Sequence, residues 1–283
     1  MAAAIGNEAA NNNTGQRNLL CRLVFAFIFF FLLYYQFSNT LVHQLQSPVL
    51  KFPYVDITYW IFHLLKIPEL ITRNYLISCC FDNLLFVSCL LSFFFPNRRG
   101  FIILFFLLYF IYFIIFNTYG THHTHSKIGI LLMPVPFMFR RPITFKYMWE
   151  AMRYFALFFY ADAFLWKLFR FTFLHADQGI LILKRNFAAY LYYNSQTFLG
   201  GAYTWLLHNP YLIELIFYTG FIAEGFFLVG FFTRRYDRYL ILISILMPVG
   251  FLFLSDAFFF EMLVLSFTFI RLRELPASAI GTV

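Results

Sequence analysis

Long apolar runs separated by short polar segments dominate the chain. They cover residues 19–37, 74–95, 101–116, 129–139, 148–174, 211–232, 239–254 and 257–270. The fourth is short and carries Pro134 and Pro136; the fifth is long enough to tilt; Ser255-Asp256 marks the turn between the last two. Runs of this kind predict transmembrane helices. The expected fold is all-α: a polytopic bundle of eight spans over 19–273, between a polar tail (1–18) and a short tail (274–283). The first tail has one basic residue, Arg17, and no small-residue cleavage site follows the apolar run, so it does not read as a removed signal peptide.

Composition agrees. Of 283 residues, 61% are hydrophobic and 12% charged, and 44 are Phe; soluble domains carry about 25% charged residues. Too few charges remain to cover a soluble surface, and the hydrophobicity excludes disorder. The net charge of +8 would suggest nucleic acid in a soluble protein. Here the basic residues cluster between apolar runs, so the lipid bilayer, not nucleic acid, is the expected partner. Arg17 and Arg22, Arg98 and Arg99, Arg140, Arg141 and Lys146, Arg234, Arg235 and Arg238, and Arg271 and Arg273 fall on one side of eight alternating spans. By the positive-inside rule that side is cytoplasmic, and both termini lie there. Segments 38–73 and 175–210 then lie outside. They mix aromatic and basic residues, as interfacial or re-entrant helices do. Cys21, Cys79, Cys80 and Cys89 lie in apolar runs without a C-x-x-C spacing, so neither a redox nor a zinc motif is read.

Ionisable residues at membrane depth need partners or a wet cavity. Asp82 lies in the second run, Asp162, Lys167 and Arg170 in the fifth, Glu214 and Glu224 in the sixth, and Glu261 in the eighth. At about 1.5 Å per residue, Lys167 sits roughly 9 Å and Glu214 roughly 11 Å outward of their span centres. That predicts a Lys167–Glu214 pair, with Glu224 nearer the level of Asp162. A lysine stripped of water and counter-charge gives up its proton and becomes a usable base. A buried network that only fixes helix packing is the other reading. His122, His123 and His125, within Thr121–Ser126, follow the third run. They read as a polar loop, as an acid or shuttle beside Lys167, or as metal ligands. The other histidines are scattered singly, and no metal site is assigned.

The stretch Phe159-Tyr160-Ala161-Asp162-Ala163-Phe164-Leu165-Trp166-Lys167-Leu168 resembles a helix of the vitamin K-dependent gamma-carboxylase-like (HTTM) membrane family. The resemblance implies that Lys167 is a base acting on a hydroquinone. His125-Ser126 is similar to that family's histidine element, with His122 or His123 as substitutes. Ala223-Glu224-Gly225-Phe226-Phe227-Leu228-Val229-Gly230-Phe231-Phe232-Thr233-Arg234 resembles a helix of DoxX-like proteins, membrane subunits linked to quinone-dependent redox systems. An Asp-x-Asp-Trp run that often follows the family's lysine helix is replaced by Phe169-Arg170-Phe171-Thr172. The resemblance therefore implies a quinol-like or other lipid-soluble substrate rather than protein glutamate carboxylation. The expected site has Lys167, His122, His123 and His125 as catalytic groups, with Asp162, Arg170, Glu214, Glu224 and Glu261 binding substrate. A quinone or quinol is the implied cofactor. The alternative is a non-catalytic membrane subunit that anchors or stabilises a membrane or redox partner. A transporter is disfavoured, because no internal repeat is found.

Overall fold

The computed structural model of the chain describes residues 2–45, 64–119, 127–255 and 259–272, with side chains at 14–45, 64–117, 127–255 and 259–272. Among them every regular element is helical. The chain divides into two compact units, Met1–Met152 with Arg271–Val283, and Arg153–Ile270.

The first unit holds α1 (Ala2–Phe37), a 3-10 turn (Val42–Gln44), α2 (Ile67–Thr72), α3 (Tyr75–Phe94), α4 (Arg99–Tyr119), α5 (Ile128–Leu132) and a second 3-10 turn (Val135–Met138). Helix α6 (Pro142–Phe169) begins in this unit and continues into the second. Its core is a set of helical stripes. Phe25, Ile28, Leu32 and Tyr35 of α1 are buried, as are Phe105, Tyr109 and Tyr112 of α4. Phe25 meets Phe105 edge-on at 5.3 Å between ring centroids. The buried stripe of α3 includes small residues, Ser78, Ser88, Cys89 and Ser92, which let neighbouring helices pack closely in lipid. Ser88 and Ser92 donate to carbonyls of their own helix, Leu85 O at 2.9 Å and Ser88 O at 2.8 Å. Their burial therefore leaves no hydroxyl unsatisfied. Arg17 donates to the Phe137 carbonyl at 2.9 Å, tying α1 to the second 3-10 turn.

The second unit holds the rest of α6, then α7 (Gln178–Asn194), α8 (Phe198–Leu207), α9 (Pro210–Phe232), α10 (Asp237–Ser255) and a 3-10 helix (Phe260–Phe269). Leu183, Phe187, Tyr203 and Ile213 form a compact core among α7, α8 and α9. The segment 175–210, expected at the interface, is thus two packed helices. Of the other such segment, residues 46–63 lie outside the described residues.

Apolar side chains cover much of the outer surface: Phe30, Phe37, Leu76 and Leu107 in the first unit, and Phe158, Tyr211, Ile222 and Phe232 in the second, are exposed. Water would not tolerate so much apolar surface on a monomer, whereas lipid does. The protein is an integral membrane protein.

Among the described residues, five helices are long and apolar enough to cross a bilayer: α1, α3, α4, α9 and α10. They correspond to five of the eight expected runs. Helix α6 has the length, with 28 residues, but Arg153, Asp162 and Lys167 interrupt its apolar character. At 129–139 the prolines break the run into α5 and a 3-10 turn, since proline lacks the N–H that continues a helix. At 257–270 the described helix is a ten-residue 3-10 segment, roughly 20 Å long at about 2.0 Å per residue.

Candidate functional site

Four residues of α6 at heptad-like spacing, Arg153, Tyr160, Phe164 and Lys167, meet α9 along one seam. From Arg153 to Phe164 the partners on α9 step backwards along the chain, and Lys167 then meets a residue one turn after the partner of Phe164. Arg153 donates to the Gly230 carbonyl at 2.9 Å. Tyr160 stacks on Phe227 at 4.2 Å between centroids. Phe164 meets Phe221 at 4.6 Å. Lys167 donates to Glu224 Oε1.

The seam is held by a fully buried ion pair. Arg153 Nη2 reaches Asp237 Oδ1 at 2.6 Å, with side chains 1% and 5% exposed. Gly230 and Thr233 present carbonyls at the C-terminal end of α9, where a cation is favoured. Asp237 stands in the first turn of α10, where an anion is favoured. Arg153 therefore clips the turn that joins α9 to α10.

The Lys167–Glu224 pair is different. Glu224 is 1% exposed, while the Lys167 side chain is 29% exposed. Glu224 Oε2 is buried and has no hydrogen-bond partner among the described residues. The buried Tyr160 hydroxyl likewise has none, and it lies seven residues before Lys167, about two helical turns along the same face. The ring of Phe251 stands 5.8 Å from Lys167 Nζ. The pair thus combines a partly open ammonium, a spare carboxylate oxygen and aromatic walls.

The pairing of Lys167 with Glu214 is corrected. Glu214 Oε1 accepts the Ile180 N–H at 3.1 Å, in the first turn of α7, satisfying a donor that the helix leaves unpaired. Its partner is backbone, not a cation. Other expected site residues are scattered. Asp162 is exposed. Arg170 is exposed, with its guanidinium 4.2 Å from the Trp166 ring centroid. Glu261 is buried in the 3-10 helix. His122, His123 and His125 lie outside the described residues.

Two polar clusters of the first unit escaped the sequence reading. Asp82 accepts the N–H groups of Val42 (3.2 Å) and His43 (2.9 Å) and contacts His43 Nδ1 at 2.7 Å. A carboxylate inside α3 thereby satisfies the backbone of the 3-10 turn after α1, as buried backbone requires. Lys127 is buried, with its ammonium 3.6 Å from the Tyr35 ring centroid and 4.2 Å from that of Phe116, a cation–π arrangement. Tyr109, Tyr112 and Phe116 of α4, at three- and four-residue spacing, were the available signal for the second cluster.

Among the described residues no group of three or more His, Cys, Asp or Glu is placed to hold a metal. Neither a family model, nor a curated protein, nor a solved structure matches the chain.

Proposed function

We propose that this membrane protein binds a lipid-soluble molecule carrying an acidic hydroxyl, quinol-like in character, at Lys167 and Glu224, and moves its proton. The observation that carries the reading is the unpartnered Oε2 of buried Glu224 beside the partly exposed Lys167 ammonium. An isolated buried polar atom is costly, and a ligand hydroxyl would satisfy it. On this reading Lys167 acts as the base in its neutral, amine form. The amine then takes the ligand's hydroxyl proton, and the resulting ammonium holds the oxyanion by a charge-assisted hydrogen bond. His122, His123 or His125 would serve as acid or shuttle, and both termini are placed on the cytoplasmic side.

The test is titration of the protein in nanodiscs with a short-chain benzoquinol, read by ligand fluorescence and by the quinolate absorbance. Wild type should bind and give quinolate. Lys167→Met and Glu224→Gln should lose affinity about tenfold, the scale of one charge-assisted hydrogen bond. Lys167→Arg should bind without giving quinolate, because guanidinium does not deprotonate. Equal affinity in wild type, Lys167→Met and Glu224→Gln rejects the reading.

A second reading has its own observation. Tyr154, Phe158, Asp162, Trp166 and Phe169 are exposed at three- and four-residue spacing along α6. Among the described residues Asp162 carries no hydrogen bond or ion pair. A lone carboxylate among aromatic side chains suits a partner helix bearing a basic residue. On this reading the protein is a membrane subunit. Co-purification of a stoichiometric partner, lost in Asp162→Leu, would favour it.

A further inference from the structure

We infer that the first unit carries a binding site for the phosphate headgroup of an anionic phospholipid, built from Arg98, Arg99 and Arg140. A cavity of about 750 Å³ lies between the turn joining α3 to α4 and Arg140, two residues past the Val135–Met138 turn. Its walls include the three arginines, Asn97, Phe95 and Phe101. Among the described residues no acidic side chain lines it. All three arginine side chains are exposed, and among the described residues none of their guanidinium groups has a hydrogen-bond or ion-pair partner.

A basic cluster beside a span is by itself only a topology signal. Here Arg140 is brought to Arg98 and Arg99 from 41 residues further along the chain, around one shared cavity. The backbone that presents them is fixed. Arg17 donates to the carbonyls of Phe137 (2.9 Å) and Arg140 (3.4 Å). The α3–α4 turn is closed by the Arg98 N–H to Phe95 O (2.9 Å) and the Phe101 N–H to Arg98 O (3.1 Å). Several guanidinium groups on a rigid frame match the oxygens of a phosphate, which arginine recognises in forked geometry.

The ligand is a lipid rather than a free ion for two reasons. The cavity sits where the apolar runs of α3 and α4 stop, the level of the headgroups. Its other wall is apolar: the rings of Phe95 and Phe101 stand 6.0 Å apart, and Phe95 is exposed. Acyl chains passing these rings stay in hydrocarbon while the phosphate meets the arginines.

The test uses the full chain in nanodiscs of phosphatidylcholine with a minor share of phosphatidylglycerol, followed by native mass spectrometry of the lipids retained. Wild type should keep phosphatidylglycerol selectively. Arg98→Gln/Arg140→Gln should lose it about 30-fold, on the scale of about fivefold per basic residue near a bilayer surface. Arg140→Gln alone should lose it about fivefold, which preserves the test if the double variant folds poorly. Lys184→Gln/Arg185→Gln, altering exposed basic residues of α7, should leave it unchanged. Excess inorganic phosphate should not displace it. Unchanged selectivity in both arginine variants overturns the site, and full displacement by inorganic phosphate overturns the lipid assignment.

Discussion

The ring of Phe164 lies against the bare Cα of Gly225: a Cβ added there would stand 2.8 Å from a ring carbon. The glycine directly follows Glu224, and the ring comes one turn before Lys167. The large side chain on α6 and the absent one on α9 set how these helices meet, and so which carboxylate faces the ammonium.

This relationship predicts a coupled response. Gly225→Ala should lower the melting temperature in detergent by forcing the ring aside, an overpacking cost of about 1–3 kcal/mol. Adding Phe164→Leu should recover part of that loss, because the two positions share one space. Strictly additive losses in the double variant would show that the ring and the glycine do not constrain each other.

The apolar runs and their helical character were legible because lipid demands apolar residues on the outside as well as the core. That Lys167 needs a carboxylate from another helix was legible too, since a lone ammonium at depth is costly. Which carboxylate was not. Glu214 and Glu224 are ten residues apart, and counting depth along straight helices favoured Glu214. Rotation about the axis decides instead, and the nearest sequence sign of it was Gly225 beside Glu224. The chain also bends back after α6: Phe171 and Asp177 adopt left-handed backbone, with φ of 53° and 66°. That return brings the start of α7 to Glu214. His43 was unreadable for a similar reason, because its partner Asp82 meets it through an irregular turn that no periodicity announces.

The Asp82 contact should matter through its acceptors more than its charge. Asp82→Ala leaves the Val42 and His43 N–H groups buried without an acceptor, at about 1–3 kcal/mol each. Asp82→Asn retains one carbonyl oxygen and should cost less. Melting temperatures in one detergent should fall in the order wild type, Asp82→Asn, Asp82→Ala. Identical values for the two variants would refute the capping role.

Topology is open to a direct test. Single cysteines at Arg141, Arg185 and Arg235, three exposed positions, are introduced where the four native cysteines have been replaced. With one-sided basic clusters, Arg141 and Arg235 should label from the cytoplasmic side and Arg185 from the other. Labelling of Arg141 and Arg235 from opposite faces would reject the placement of both termini in the cytoplasm.

The Arg153–Asp237 pair should behave as a structural clip and not as chemistry. Both side chains are almost fully buried, so removing one partner leaves an uncompensated charge, a loss of about 3–5 kcal/mol. Asp237→Ala should therefore reduce both yield and melting temperature sharply. The double variant Arg153→Leu/Asp237→Leu buries no charge and should recover much of the loss, because apolar replacement of a whole buried pair is often neutral. It still lacks the donor to the Gly230 carbonyl, so recovery should be incomplete. Benzoquinol affinity in the double variant should match wild type, since neither residue contacts Lys167 or Glu224 among the described contacts. A double variant as unstable as Asp237→Ala would mean that the carbonyl contacts, and not charge compensation, hold the α9–α10 turn.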